Sequence, residues 1–373
     1  MPKIAIAHDY LTQRGGAERV VLAMLRAFPY ADLYTTVYNP ETTFPEFKEH
    51  RVLTTKLNDL ALLRKDHRFG LPIYQKGIDA APVIDADLLL VSTTGFAHGF
   101  RTTGKKLVYC HSPARFLYLV EDYLGASASK SPIGWALSAL RPPLIKWDQA
   151  AAHSADRYLA NSSVVKQRIA DVYGMDATVV PAPPAVNEAV EPELVAELAE
   201  WGPGHHLVVS RLMPYKNVDK AIDAFRELPD ERLVIVGKGP LRDELRKDLP
   251  ANVRMLEGIS DGELAWCYAN AKALIAPSRE DYGLTPLEAG ALGTPTLALH
   301  AGGYLDTVKD GVNGLFFEDP TASEIAQAVR RASEIEWDAG AIRQHVEQFD
   351  ETHFARFLRQ HVVELLASTR PVD

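Results

Sequence analysis

The chain has 373 residues, of which 47% are hydrophobic, and its formal net charge at pH 7 is -9. This length predicts two hydrophobic cores rather than one, and the negative charge, without a recognisable module, disfavours nucleic acid as a partner. No stretch reaches the roughly 18 consecutive apolar residues of a membrane-spanning helix, and no leader is evident, so we expect a cytoplasmic protein. The two cysteines are far apart in sequence and indicate neither a disulfide framework nor a zinc site.

The first half of the chain has the pattern of an α/β domain. Lys3–Asp9 predicts a strand, and Gly15 and Gly16 stand at the turn before a helix with one apolar stripe. Helical stretches separate the further strands predicted at Asp87–Ser92, Lys106–Cys110 and Arg157–Ala160. The alternation predicts a parallel-sheet domain over residues 1–180.

A proline-rich run separates the halves. Pro181, Pro183 and Pro184 cannot continue a helix or a central strand, so we place a linker at residues 181–200. A second α/β domain is predicted over residues 201–352, and a C-terminal helix, about 353–373, is expected to pack back on the first domain. The strands predicted in the second domain are Leu207–Ser210, Arg232–Val236, Val253–Leu256, Ala273–Ala276 and Thr296–Leu299. Helical stretches are predicted after them at Ile342–Phe349 and Thr352–Ala367. Two such sheets facing one another would form a deep cleft suited to a ligand screened from water.

Two cations follow the first predicted strand of the second domain. Arg211 comes directly after it, and Lys216 comes five positions later, before a segment of helical periodicity. Strand-to-helix junctions of parallel sheets bind nucleotides, and an Arg with a Lys supplies a planar fork and a mobile charge for a diphosphate. The alternative is that both are solvated loop charges.

A second polar cluster follows the strand Ala273–Ala276. Glu280 lies on the predicted loop, where a carboxylate can accept hydrogen bonds from sugar hydroxyls. Gly283 allows close approach of a phosphate, and the N–H groups of Leu284 and Thr285 would point at it.

Glu288 has two interpretations. Within the first turn of a helix, its carboxylate could bind a ribose diol. Alternatively, Thr285, Pro286 and Glu288 would form a capping box with Pro at the first helical position. Spacing alone leaves both open.

Together these segments resemble the donor-binding half of retaining glycosyltransferases of family 4, which have the GT-B fold of two Rossmann-like domains with parallel sheets facing across a deep cleft. The segments that carry the resemblance are Ser210–Leu212, Lys216–Asn217, Val236–Pro240, Glu280–Glu288, Gly293–Pro295 and Gly302–Gly303. In the first half, the family resemblance includes Gly15–Glu18 and Tyr109–Pro113, and the latter segment resembles bacterial mannosyltransferases of surface-polysaccharide assembly.

The resemblance implies a role for each matching residue. Arg211 and Lys216 would bind the donor diphosphate, Glu288 the ribose and Glu280 the transferred sugar. His111 would contact that sugar from the opposing domain, where it is otherwise a candidate structural histidine. The remaining donor-binding residues implied are Gly15, Gly16, Gly283, Leu284 and Thr285. Two departures from the pattern are Tyr282, where Phe is usual, and Asp306, where Glu often follows the paired glycines.

The expected reaction is a retaining hexose transfer by front-face substitution, because no nucleophilic carboxylate is evident at the right place. Cations and N–H groups would stabilise the charge on the departing phosphate, so neither a metal nor another cofactor is expected. GDP-mannose is the expected donor on family likeness alone, and a UDP-sugar is the alternative.

The acceptor must be predicted from the first half, which carries 21 Lys and Arg against 17 Asp and Glu, while the remainder carries 19 against 32. Basic residues mixed with apolar ones suit an anionic membrane interface, so we expect a lipid-linked saccharide acceptor and peripheral docking on the inner leaflet. The alternative is a core helix with a solvated basic rim. The residues concerned are, in one stretch, Lys56, Leu57, Leu60, Leu62, Leu63, Arg64, Lys65, Arg68, Leu71, Ile73 and Lys76, and in the other, Trp135, Leu137, Leu140, Arg141, Leu144, Lys146 and Trp147.

Other classes remain as alternatives. A nucleotide-sugar epimerase or a phosphorylase on the same architecture would use a similar phosphate clamp, and a non-catalytic binding protein could keep the cations. The presence of both Glu280 and Glu288 argues against the binding protein. A dehydrogenase is disfavoured because no Gly-x-Gly-x-x-Gly follows the first strand.

Overall fold

The chain divides into two compact units. A computed structural model describes residues 2–119, 132–184 and 190–368, and for residues 132–139 it describes the backbone alone. The first unit comprises Met1–Pro183 and Glu351–Asp373, and the second comprises Pro184–Asp350. The boundary falls in the proline-rich run, and residues 185–189 of the predicted linker lie outside the described part.

The first unit contains a parallel sheet of seven strands. Their order is β3-β2-β1-β4-β5-β6-β7, so the direction of winding reverses between β1 and β4. Four of these strands were predicted to within a residue or so, and the other three have only three or four residues each. The strands are β1 (Ile4–His8), β2 (Asp32–Thr35), β3 (Val52–Thr54), β4 (Leu88–Thr93), β5 (Lys105–Cys110), β6 (Arg157–Ala160) and β7 (Ala177–Val179).

The ends of one helix of the first unit, Ser163–Tyr173, are set by capping residues. The hydroxyl of Ser162 accepts a hydrogen bond from the backbone N–H of Val165, and Gly174 closes the same helix in the left-handed conformation. The helices are Gly16–Ala27, Ala61–Lys65, Tyr74–Asp79, Arg115–Tyr118, Pro132–His153, Ser163–Tyr173 and Glu351–Ala367.

The last of these helices belongs to the unit formed by the start of the chain. Glu351 pairs with Arg26, and Oε2 of Glu364 lies 2.8 Å from Nη1 of Arg157. The rings of Phe354 and Tyr109 meet edge to face at a centroid distance of 5.5 Å. Residues 369–373 of the predicted helix lie outside the described part.

The second unit contains a parallel sheet of six strands in the order β10-β9-β8-β11-β12-β13. Five of the six were predicted, and the sixth lies at the edge of the sheet. The strands are β8 (His205–Val209), β9 (Leu233–Val236), β10 (Val253–Leu256), β11 (Ala271–Ala276), β12 (Thr296–Leu299) and β13 (Gly314–Phe317). The helices are Val218–Arg226, Arg242–Leu245, Asp261–Ala269, Leu284–Ala291, Tyr304–Thr307, Ala322–Ser333 and Ala339–Glu347.

Both faces of this second sheet are covered. Successive residues of a strand point to opposite faces, and Leu207 and Val208 accordingly pack in two separate apolar clusters. Burial on both faces explains why the strands are continuous apolar runs rather than alternating ones. The predicted fold class, α/β with two units each built on a parallel sheet, is confirmed.

Both basic and apolar stretches assigned to a membrane interface are partly core. In the stretch Lys56–Lys76, Leu63 is 2% exposed, and Leu57, Leu71 and Ile73 pack on the first core. Leu144 is 3% exposed, and the indole of Trp147 packs on the first core and donates a 2.9 Å hydrogen bond to Asp79. The side chains of Trp135 and Leu137 lie outside the described part. Among the described residues, none of the helices is both long and apolar enough to span a bilayer.

Candidate active site

The centre of the second sheet brings distant parts of the sequence to one edge. β8 and β11 pair in parallel where the strand order reverses, and open parallel sheets bind ligands at the carboxyl edge of such a point. Arg211 closely follows β8, and Glu280 closely follows β11. The topology therefore places the predicted cations and the first predicted carboxylate at neighbouring strand ends.

Lys216 and Glu280 form an ion pair at this edge. The Lys216 ammonium contacts Oε1 of Glu280, and only 12% and 20% of the two side chains are exposed. The hydroxyl of Ser278 donates to the same carboxylate oxygen at 2.5 Å and lies 3.3 Å from the hydroxyl of Tyr304. Because the pair is largely removed from water, its attraction is screened less than that of a surface pair. The carboxylate is therefore held in place by a cation and a hydroxyl.

Tyr215 connects the two predicted cations. Nη2 of Arg211 lies 3.4 Å from the Tyr215 hydroxyl, and Nζ of Lys216 lies 5.1 Å from the centroid of the same ring. Arg211 is exposed, so its guanidinium can reach a ligand without losing a buried partner. Sequence reasoning did not select Tyr215, and its position between the cations was the only signal.

Asn217 fixes the short turn that carries Lys216. Its backbone is left-handed, with φ 53°, and its side-chain amide donates a 2.9 Å hydrogen bond to the carbonyl of Pro277. Pro277 lies on the segment that leads to Glu280. This bond therefore ties the two halves of the ion pair together through the backbone, which sequence reasoning missed.

Gly283 starts the helix Leu284–Ala291 and has a conformation that favours glycine. Its φ is 97°, and a Cβ added there would lie 2.6 Å from Cδ1 of Tyr304. The first N–H groups of a helix have no partner within it, so Leu284 and Thr285 present their N–H groups at this end. Such an end favours an anion.

Glu288 is held by a residue that sequence reasoning missed. The hydroxyl of Tyr268 donates a 2.7 Å hydrogen bond to Oε2 of Glu288. Burial raises the pKa of Tyr268 well above its ordinary value, and the nearby carboxylate raises it further, so the phenol stays a donor. The capping-box interpretation is wrong, because the helix begins at Leu284 and Thr285 already lies inside it.

Two further glycines let the chain pack backbone to backbone against the loop of Glu280. The N–H of Gly303 donates a 2.8 Å hydrogen bond to the carbonyl of Glu280, and a Cβ on Gly302 would lie 2.3 Å from that same oxygen. Of the two departures from the family pattern, Tyr282 is buried in this loop. Burial, with a contribution from the carboxylate of Asp306, raises the pKa of its hydroxyl well above the ordinary value.

In the first unit, His111 directly follows β5 and is half-buried. Its Nε2 lies 2.9 Å from the hydroxyl of Ser92, and that hydroxyl lies 3.0 Å from Nδ1 of His8. Burial and, to a smaller extent, His8 lower the pKa of His111 to about 3, and Asp9 opposes both effects. His111 is therefore neutral at pH 7.

Asp9 anchors the loop that follows β4. Its carboxylate accepts hydrogen bonds from the backbone N–H groups of Thr94, Phe96 and Ala97, the last two at 2.8 and 2.6 Å. Burial opposes the charge, but His8 and these bonds outweigh it, and the pKa of Asp9 is lowered. This carboxylate is fully engaged within the protein.

The predicted donor-binding glycines Gly15 and Gly16 also lie in the first unit. Gly15 is the N-cap of the helix Gly16–Ala27, and a Cβ there would lie 2.5 Å from Oε2 of Glu18. Glu18 is 1% exposed, and burial raises its pKa. The turn therefore covers a buried carboxyl group.

Two family models match the chain. Residues 14–189 match the model described as Glycosyltransferase Family 4, and residues 200–349 match the model described as Glycosyl transferases group 1. The first match falls in the first unit except for its last six residues, 184–189, and the second match falls in the second unit.

Two curated relatives share part of this sequence. The GDP-mannose-dependent alpha-(1-6)-phosphatidylinositol monomannoside mannosyltransferase of Mycolicibacterium smegmatis is 30% identical over 228 residues, which are 55% of this chain and 59% of that protein. The D-inositol 3-phosphate glycosyltransferase of Kineococcus radiotolerans is 34% identical over 219 residues, which are 49% of this chain and 50% of that protein. The chain thus spans little more than half the length of these relatives.

Solved structures share the fold. The sucrose-phosphate synthase from Thermosynechococcus elongatus superposes with a TM-score of 0.71 at 18% identity, and the match covers 98% of this chain and 100% of that one.

Proposed function

The chain belongs to glycosyltransferase family 4, and on that premise we propose that it moves a hexose from a nucleotide-sugar donor to a glycan or lipid-linked acceptor with retention of configuration. The observation that carries the proposal is the ion pair of Lys216 and Glu280 at the strand reversal of the second sheet. It brings a diphosphate-binding cation into contact with a carboxylate that can bind sugar hydroxyls.

We propose the following roles for the donor-site residues. Arg211, Lys216 and the N–H groups of Leu284 and Thr285 bind the diphosphate, because cations and helix N-termini both stabilise anions. Glu280 accepts hydrogen bonds from the transferred sugar. Glu288 binds the ribose diol through a carboxylate oriented by the hydroxyl of Tyr268. Gly15 and Gly16 contribute to donor binding from the first unit, and His111 contacts the transferred sugar.

The proposed chemistry is front-face substitution. The acceptor hydroxyl attacks the anomeric carbon on the face from which the nucleoside diphosphate departs, and a phosphate oxygen takes the acceptor proton. Arg211, Lys216 and the two N–H groups stabilise the negative charge on the leaving phosphate. These groups would do the work that a divalent ion does in other transferases, so turnover should be unchanged by a chelator. Strict dependence on an added divalent ion would overturn this part of the proposal.

For the donor we propose GDP-mannose, with UDP-sugars as the alternative. The support is the mannosyltransferase relative, which is named for its dependence on GDP-mannose. A ligand that binds only the folded protein raises its melting temperature by an amount that grows with the logarithm of the ratio of ligand concentration to dissociation constant, so thermal shifts at one concentration can rank GDP-, UDP- and ADP-sugars. A larger shift with UDP-sugars would reject GDP-mannose and leave the transferase assignment in place.

For the acceptor we propose a lipid-linked saccharide reached at an anionic membrane surface. Three large apolar side chains, Leu60, Leu62 and Phe69, are 47, 56 and 59% exposed in the first unit. Lys65 and Arg68 are exposed in the same segment, and exposed apolar groups mixed with cations suit the headgroup region of an anionic bilayer.

Sedimentation with liposomes tests the membrane part of this proposal. Binding should increase with the fraction of anionic lipid and decrease in Phe69→Ser. Equal sedimentation with neutral and anionic liposomes would reject the docking and leave the donor chemistry unaffected.

A further inference from the structure

Three polar side chains at the carboxyl ends of β1, β4 and β5 form a continuous hydrogen-bonded series. They are His8, the last residue of β1, Ser92 in β4, and His111, which follows β5. We propose that Ser92 and His8 are positioning residues that hold His111 in the neutral tautomer with its proton on Nδ1. The tautomer stands on this geometry alone, while its use in catalysis rests on the proposed function.

The series begins at His8, whose protonated nitrogen is set by a backbone carbonyl. Nδ1 of His8 lies 3.1 Å from the carbonyl oxygen of Ser92 and 3.0 Å from its hydroxyl oxygen. A carbonyl oxygen can only accept a hydrogen bond, so a bare nitrogen at this distance would oppose one lone pair to another. His8 is 1% exposed, and water cannot relieve such a repulsion. Nδ1 of His8 therefore carries a proton.

The hydroxyl of Ser92 then has a fixed direction. It is fully buried and lies between two imidazole nitrogens, Nδ1 of His8 at 3.0 Å and Nε2 of His111 at 2.9 Å. A hydroxyl can donate one proton and accept others. Because Nδ1 of His8 is a donor, the hydroxyl accepts there, and its own proton points to Nε2 of His111.

His111 is left with one possible tautomer. A ring nitrogen that accepts a hydrogen bond carries no proton, so in the neutral ring the proton is on Nδ1. Double protonation of His111 would direct the N–H groups of both histidines at the oxygen of Ser92 and leave the hydroxyl proton without an imidazole acceptor, and burial also disfavours the cation. The ionisable groups that act on His111 are His8, which disfavours the cation, and Asp9, which favours it. Tyr109 adds only a ring contact at 5.2 Å.

The consequence for function is that His111 presents a hydrogen-bond donor and not a base. Within the described residues, no side-chain or backbone group accepts a hydrogen bond from Nδ1 of His111, and the residue is half-buried rather than fully enclosed. An Nδ1–H group suits an oxygen that can accept, such as a hydroxyl oxygen of the transferred sugar. It cannot take the proton of the acceptor, and this agrees with the proposal that the phosphate takes that proton.

The direct test is NMR of the full chain with ¹⁵N-labelled histidine. At pH 7, the signals that vanish in His111→Asn should show a protonated Nδ1 and a bare Nε2, and they should not titrate between pH 5 and 8. In Ser92→Ala the hydroxyl is lost, so both tautomers should appear and the pKa of His111 should rise. A protonated Nε2 in the wild type would overturn the proposal, as would a Ser92→Ala spectrum identical to the wild type.

A second pair of variants, read by the same NMR measurement, tests the role of His8. Asn places an amide N–H near the position of the Nδ1–H of histidine, so His8→Asn should keep the tautomer of His111 while His8→Ala should lose it. Circular dichroism and thermal melting identify any variant that fails to fold, and the wild-type spectrum decides the question in that event. Loss of the tautomer in a folded His8→Asn variant would count against the role of His8.

Activity separates this inference from the proposed function. The amide nitrogen of Asn mimics Nδ1 and that of Gln mimics Nε2, so His111→Asn should retain more activity than His111→Gln, by about 5- to 10-fold in kcat/KM for one net hydrogen bond. If the NMR tautomer holds and the two variants are equal, the proposed contact of His111 with sugar fails and the positioning stands. If the tautomer itself is reversed, the positioning fails whatever the activity.

Discussion

Replacement of Glu280 by Gln tests the ion pair on which the proposed function depends. Two unit charges about 4 Å apart attract by about 4 kcal/mol at an effective permittivity of 20, but removing them from water cancels much of this attraction. Because 12% and 20% of the side chains of Lys216 and Glu280 remain exposed, we expect a net contribution of about 1–2 kcal/mol. Gln keeps the shape and one acceptor but removes the charge.

The free energy of unfolding of Glu280→Gln should therefore fall by about 1–2 kcal/mol in urea. Its kcat/KM should fall about 10- to 100-fold, because a hydrogen bond to a charged group contributes about 1.5–3 kcal/mol. Glu318→Gln is the matched control in the same unit, since that carboxylate pairs with His300 but is 74% exposed. The control should stay within about 0.5 kcal/mol of the wild type and keep full activity.

A double-mutant cycle with Lys216→Met isolates the pair. We expect the two changes to be non-additive by about 1 kcal/mol in the free energy of unfolding, since each removes the same contact. Additivity to within about 0.3 kcal/mol would refute the energetic coupling. An active Glu280→Gln enzyme with unchanged kcat/KM would refute the catalytic reading of the pair.

Three further predictions concern other groups. Gly283→Ala should lower the free energy of unfolding by at least about 2 kcal/mol and abolish thermal stabilisation by the donor. The control is Gly311→Ala, where φ is also positive at 71° but a Cβ meets open space, so the free energy of unfolding should fall by only about 1 kcal/mol. Tyr268→Phe should weaken GDP binding by calorimetry about 3- to 10-fold, since Glu288 loses its orienting donor; unchanged affinity would contradict this. Burial lowers the folded-state pKa of His205 to about 4 from an ordinary 6.5. As the pH falls from about 6.5 to 4, the unfolded chain therefore binds a proton that the folded chain does not, and stability is lost. The melting temperature of His205→Gln should decrease less with acid than that of the wild type, and an equal decrease in both would contradict the prediction.

The sequence predicted the long central strands and the positions of both proposed donor-site clusters just after strands, because these depend on local pattern. The apolar runs at Arg157–Ala160, Val253–Leu256 and Thr296–Leu299 match the observed strands. Strands such as Val52–Thr54 and Ala177–Val179 were missed because three residues at a sheet edge carry no periodic signal.

Contacts between distant residues could not be predicted from local pattern. The hydrogen bond between Tyr268 and Glu288 joins two helices, and that between Ser92 and His111 joins strand β4 to the residue that follows β5. No local pattern around Glu288 indicates a contact with Tyr268. The spacing of Thr285 and Glu288 instead suggested a capping box, which is excluded because the helix begins at Leu284. Such side-chain partners depend on which elements the topology brings together, and the hydrophobic pattern of a sequence predicts the elements but not their contacts.

The assignment of the helix Glu351–Ala367 to the first unit reverses the usual order of events during synthesis. Domains commonly fold as the ribosome releases them, starting from the amino terminus. Here the second unit is one uninterrupted segment, Pro184–Asp350, and can finish folding as soon as its last residue emerges. The first unit must wait for a helix that is translated after the whole of the second unit, so its nascent form carries an uncovered apolar surface while residues Pro184–Asp350 are being made.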